Sequence, residues 1–76
     1  MDKQFAAGMA EIFEVDESEM TDGYALSADN WNSLAIVSTI ALGDELYGVV
    51  LNGQGLSKCK TLGDVAAMIA KAKGSV

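Results

Sequence analysis

The 76-residue chain has no proline, no histidine and no arginine, and its only cysteine is Cys59. One thiol and no imidazole exclude an internal disulfide, a zinc site of the usual Cys/His kind, and any Ser-His-Asp or Cys-His nucleophilic arrangement. No enzyme activity is expected. Apolar packing alone must stabilise the fold, in a chain near the lower end of what a single core supports. The length allows one domain, spanning residues 1–76. No apolar run reaches the roughly 20 residues of a membrane span, so membrane insertion is not expected. Met1-Asp2-Lys3-Gln4 lacks the basic segment and apolar run of a secretory signal, and a cytoplasmic location is the expectation.

Positive charge is also scarce. Five lysines face eleven acidic residues, for a net charge of −6. Such a surface repels a phosphate backbone, so nucleic acid is not an expected partner, whereas basic patches on other proteins are attracted.

Half of the residues are hydrophobic, and they recur with helical period. From Asp2 to about Glu14, the residues Phe5, Met9, Ile12 and Phe13 mark one stripe of an amphipathic helix with Asp2 in position to cap it. Gly8 inside this stripe points either to a close helix contact or to a bend. Residues 15–32 are rich in Asp, Ser, Asn and Gly and carry no sustained periodicity, which predicts a long loop. Met20, Tyr24 and Leu26 are the residues able to pin it to a core.

A second helix is predicted from about Ser33 to Tyr47, with Asn32 or Ser33 at its N-cap. Ile36, Ile40, Gly43 and Tyr47 predict its core-facing stripe. A second stripe, Leu34, Val37 and Ala41, begins directly beside Ser33 and is flanked by Ser38, Asp44 and Glu45. These residues either form a docking strip for another protein or pack beneath the long loop. Gly43 leaves volume on the inner face, for a close helix contact or for a bound apolar chain.

After Tyr47, three glycines break the pattern, and Val49, Val50 and Leu51 are expected to dock on the core as a linker. Leu56 and Cys59 are spaced like the inner face of a short third helix, with Cys59 as a small core residue. Thr61 and Asp64 form a capping-box pattern that opens a fourth helix, with Leu62, Val65, Ala66, Ile69 and Ala72 inward. Lys71, Lys73 and Gly74 suit its C-terminal end. The acids Asp16, Glu17 and Glu19 lack the Gly-centred spacing of a calcium loop.

Several of these segments occur in the order and spacing of one family. The Ile-Phe-Glu-Val stretch ending the first helix, the acidic Asp-Glu-Ser-Glu-Met-Thr-Asp segment, Asn32-Ser33-Leu34 opening the second helix, and Lys-Thr-Leu-Gly-Asp-Val opening the fourth resemble the acyl carrier protein family over nearly the whole chain. The resemblance implies an all-α fold, a small four-helix bundle of acyl-carrier type with a long loop between helices 1 and 2 and a short helix 3. It also implies a covalent 4′-phosphopantetheine on Ser33, with Asn32 and Leu34 completing the motif. The arm would carry an acyl group as a thioester to partner enzymes. A helix N-terminus favours the negative charge of such a phosphodiester.

The partners implied are a phosphopantetheinyl transferase and acyl-transferring or ligating enzymes and synthases, meeting a monomer through Trp31, Leu34, Val37, Ser38, Ala41, Asp44 and Glu45. Trp31 has three open roles: shielding the arm, anchoring a partner, or folding back on the core. Two departures from the family pattern stand out. Asn32 replaces the usual aspartate before the serine, and only Asp44 and Glu45 represent the usual row of acids along the second helix. The first opens an alternative, a helical interaction module that keeps the carrier fold without the arm. The second favours a specialised lipid or secondary-metabolite pathway over general fatty acid biosynthesis, with partner choice resting on the apolar strip.

Overall fold

Asp2 caps the first helix in the computed structural model, which describes residues 2–74; Met1, Ser75 and Val76, the ends of the expected 1–76 domain and the start of the leader reading, lie outside the described residues. Helix α1 spans Lys3–Phe13, α2 Ser33–Tyr47, α3 Gly53–Ser57 and α4 Leu62–Lys73, with one 3-10 turn at Glu17–Glu19. No strand occurs among the described residues, only an isolated antiparallel bridge between Ala25 and Thr61, and the chain is all-α. No described helix is long and apolar enough to cross a membrane.

Side-chain oxygens start each helix. Asp2 accepts from Phe5 N at 3.3 Å, Asn32 from Ala35 N at 3.0 Å and Asn52 from Gly55 N at 3.0 Å. At α4 the reciprocal box is complete: Thr61 Oγ1 accepts from Asp64 N, and the Asp64 carboxylate accepts from Lys60 N at 3.0 Å and Thr61 N at 3.2 Å. These backbone donors hold the Asp64 carboxyl below the ordinary carboxylate range.

The core joins one face of each helix to the linkers. Met9, Leu56, Leu62 and Val65 are fully buried, and Phe5, Met20, Val49, Leu51 and Ile69 complete the cluster. Each such side chain contributes about 1.5–3 kcal/mol on leaving water. α1 and α2 run antiparallel and approach closely, since a Cβ added at Gly8 would stand 2.7 Å from the Leu42 methyls. Gly8 therefore serves a close contact.

Some expected positions differ. The inward face of α2 is centred on Ala35, Thr39 and Gly43; Ile36, Ile40 and Tyr47 are half-buried at its side. Small residues let α1 and the linker come near, and the buried Thr39 hydroxyl donates to Ala35 O at 2.8 Å, which removes the cost of enclosing it. A Cβ at Gly43 would meet Leu51 at 2.9 Å, so its volume is filled by the linker. Cys59 lies beyond the five-residue α3 and is half-buried. Val50 is 89% exposed because backbone alternation turns it outward between buried Val49 and Leu51. Ala72 is exposed, as α4 has passed the edge of the core by its last turn.

The long loop is fastened by backbone bonds to the start of α4. Leu26 N donates to Lys60 O, Leu62 N to Tyr24 O and Gly63 N to Asp22 O, each at 2.9 Å. Phe13 packs at a tilt against Tyr24 and Trp31 with centroid separations of 5.2 and 6.1 Å, and Met20 of the same loop is buried in the core. At the opposite pole the Tyr47 hydroxyl donates to Asp2, and Lys73 Nζ stands 4.3 Å from the Tyr47 ring centre. Burial and the Asp2 carboxylate push the Tyr47 phenol up to about 12.

A Cβ at Gly63 would sit 2.9 Å from Asp22 O, against backbone that cannot turn aside. Gly63→Ala should therefore cost about 1–2 kcal/mol in urea unfolding despite its better helix propensity. The depressed Asp64 carboxyl stabilises the fold above its unfolded-state value, and that contribution is lost as pH falls from about 4 through the folded-state value. Asp64→Asn should show a shallower loss of urea stability across that acid range than the wild type.

Candidate functional site

Asn32 is in extended conformation, and Ile36 N donating to Asn32 O at 3.0 Å is the first bond of α2. Ser33 thus occupies the first helical position, and it is exposed. With Ala35 N taken by the Asn32 side chain, the Ser33 and Leu34 N–H groups remain as outward-facing donors of the first turn, without a partner among the described residues. Together with the helix dipole they favour an anion on the Ser33 hydroxyl.

The approach to Ser33 is rigid on its loop side. Ser27 N donates to Asn30 Oδ1 at 2.8 Å, Asn30 Nδ2 to Ala25 O at 3.1 Å, and Trp31 N to Ser27 O at 2.6 Å, so residues 25–31 form a self-bonded turn. Trp31 then locks that turn to the body: its Nε1–H donates to Leu56 O at 2.7 Å and the residue is only 8% exposed. The expectation of a partner contact at Trp31 is corrected accordingly. Folding back on the core was one of its open roles, and the indole hydrogen bond to α3 is the reason it prevails.

The outer stripe of α2 is accessible. Leu34 is 75% exposed, Val37 61%, and Ala41, Asp44 and Glu45 are exposed, with Ser38 half-buried. None of this stripe lies beneath the long loop. A groove of about 300 Å³ opens beside Ser33, bounded by Asn32 and Leu34 on one side and by Phe13, Glu14 and Asp29 on the other. No lysine lines it. The exposed carboxylates oppose a phosphate there, but water and salt screen them, whereas the first-turn donors would touch it directly.

Other candidate groups have structural roles. Asp16 caps the 3-10 turn by accepting from Ser18 N at 2.9 Å, which lowers its pKa, and no three Asp, Glu or Cys side chains are grouped for a metal ion among the described residues. The Cys59 thiol lies 3.6 Å from both Gly55 O and Met68 Sδ. Burial, with Asp64 nearby, pushes its pKa up and keeps it a poor nucleophile.

Because an aspartate can accept from Ala35 N as the asparagine does, Asn32→Asp should change the stability of the protein by no more than a few tenths of a kcal/mol, while Asn32→Ala should cost about 1 kcal/mol in thermal or urea unfolding. No family model matches the chain, and comparison with curated proteins and with solved structures gives no significant match.

Proposed function

We propose that the chain is a carrier of acyl-carrier type, holding an acyl group on a 4′-phosphopantetheine arm attached to Ser33 and passing it to separate enzymes. The observation that carries this reading is an exposed serine at the first position of a long helix, with two unpartnered first-turn N–H groups and exposed Leu34 and Val37 beside it. Four α-helices with a long, pinned first loop and a short α3 are consistent with it.

The residues present fit the arm. Ser33 supplies the oxygen for a phosphodiester and the N–H groups of Ser33 and Leu34 supply donors to it. The turn at 25–31 and the Asn32 cap hold that oxygen in one place, so an arm swings from a fixed origin. When bound, the arm provides a terminal thiol that carries the acyl group as a thioester. The protein itself supplies the anchor and the address: docking through Leu34, Val37 and Ala41 raises the effective concentration of cargo at the docked enzyme. A phosphopantetheinyl transferase would attach the arm, and acyl-transferring or ligating enzymes and synthases of a specialised pathway would use it.

Asn32 favours a second reading, an interaction module of the same shape without the arm. It caps the helix as an aspartate would but carries no charge with which to attract a magnesium-bearing transferase. Incubation with coenzyme A, magnesium and a broad-specificity phosphopantetheinyl transferase should add the mass of one arm to the wild type and nothing to Ser33→Ala. Modification of Asn32→Asp with none of the wild type would make the second reading the better one.

A further inference from the structure

A groove of about 560 Å³ runs between α1 and α2, on the flank of the molecule away from α3 and α4. Each helix lines it with one face: Gln4, Ala7, Gly8 and Glu11 from α1, and Ser38, Ala41, Leu42 and Glu45 from α2, both at spacing i, i+3, i+4, i+7. Ala7, Gly8, Ser38 and Ala41 take up little space along it, and half-buried Leu42, Leu46 and Ile12 add apolar surface. Ile12 and Ser38 also line the groove beside Leu34, so the two are continuous from Asn32 to Leu46. That is roughly 20 Å, about fourteen residues of helix.

The charges along this channel have one sign. Glu11 and Glu45 line one part, Glu14 and Asp29 the other, and no lysine lines either. The lysines stand at the start of α1, after α3 and in the last turn of α4. We infer that the α1–α2 groove receives an amphipathic helix of a partner protein, with its apolar face on Leu42, Leu46 and Ile12 and flanking lysines or arginines against the four carboxylates. Two antiparallel helices with small facing residues form a seat for a third helix, and with no sheet edge among the described residues a helix is the element that fits. A second copy of the chain would bring the same acids to the same place, and an anionic lipid surface would be repelled by them. This inference does not depend on the arm: Ser33 is outside the set of lining residues, and Ser33→Ala leaves the groove unchanged.

The test uses a synthetic helical peptide of about fourteen residues with leucines at i, i+3, i+4 and i+7 between lysines, and a companion with every lysine replaced by glutamate. The basic peptide should bind, shift the backbone amides of Gly8, Ser38 and Ala41 in NMR titration, and weaken as salt rises. The acidic companion should not bind. Replacement of Glu11 and Glu45 by lysine should weaken the basic peptide about tenfold. E17K/E19K alters net charge equally in the 3-10 turn away from the groove and should weaken it no more than about twofold. Equal losses in the two double variants would show attraction to net charge alone and overturn the proposal. So would shifts confined to the Val37 ridge or to α4, or no binding at all.

Discussion

The inward face of α2 is built from an alanine, a threonine and a glycine, and most of the architecture follows from how little space they take. Gly43 admits Leu51 and Ala35 lies in the core, so the linker and α1 approach α2 more closely than bulky residues would allow. The larger aliphatic side chains of the same helix are thereby displaced to its flanks or outward. Thr39 keeps this arrangement inexpensive, because its hydroxyl returns to the carbonyl one turn back and leaves no unsatisfied group inside. Exposed Leu34 and Val37 are the other side of that packing choice.

The beginning of α2 inherits its precision from contacts distant in sequence. Asn32 closes the first turn, but the preceding residue is held by a carbonyl of α3, and the loop before it is laced to the start of α4 through backbone groups. Phe13, at the end of α1, meets Trp31 and Tyr24 from the same loop. All four helices therefore bear on the position of Ser33. In a domain with so small a core, this replaces the rigidity that a disulfide or metal would supply elsewhere.

Much of this was legible in the residues. Asp2, Asn32, Thr61 and Asp64 announce their helix starts because a cap is local chemistry, completed within three residues. Leu34, Val37 and Ala41 are legible as a second apolar stripe, but the residues alone leave open whether it lies exposed or beneath the loop. The rest required three dimensions. α2 is apolar nearly all round, so periodicity alone does not centre its inner face: Ile36, Ile40 and Tyr47 do pack against the core beside buried Gly43, but the centre falls on Ala35 and Thr39. Trp31 sits in an aperiodic loop and its partner is a carbonyl of α3, which no local pattern can signal. The attachment of residues 22–26 to residues 60–63 uses main-chain groups, leaving Gly63 as its only trace in side-chain identity. The Leu56–Cys59 spacing suits one helical face, yet α3 ends two residues before Cys59.

The contact of Asp2, Tyr47 and Lys73 has a topological consequence. It gathers the first residue of the described chain, the last turn of α2 and the last turn of α4 at one pole, while Ser33 lies at the other end of α2. The contacts that close this pole thus leave the serine end of α2 clear of them, so the first turn that bears Ser33 and the clasp around Tyr47 are separated by the length of one helix.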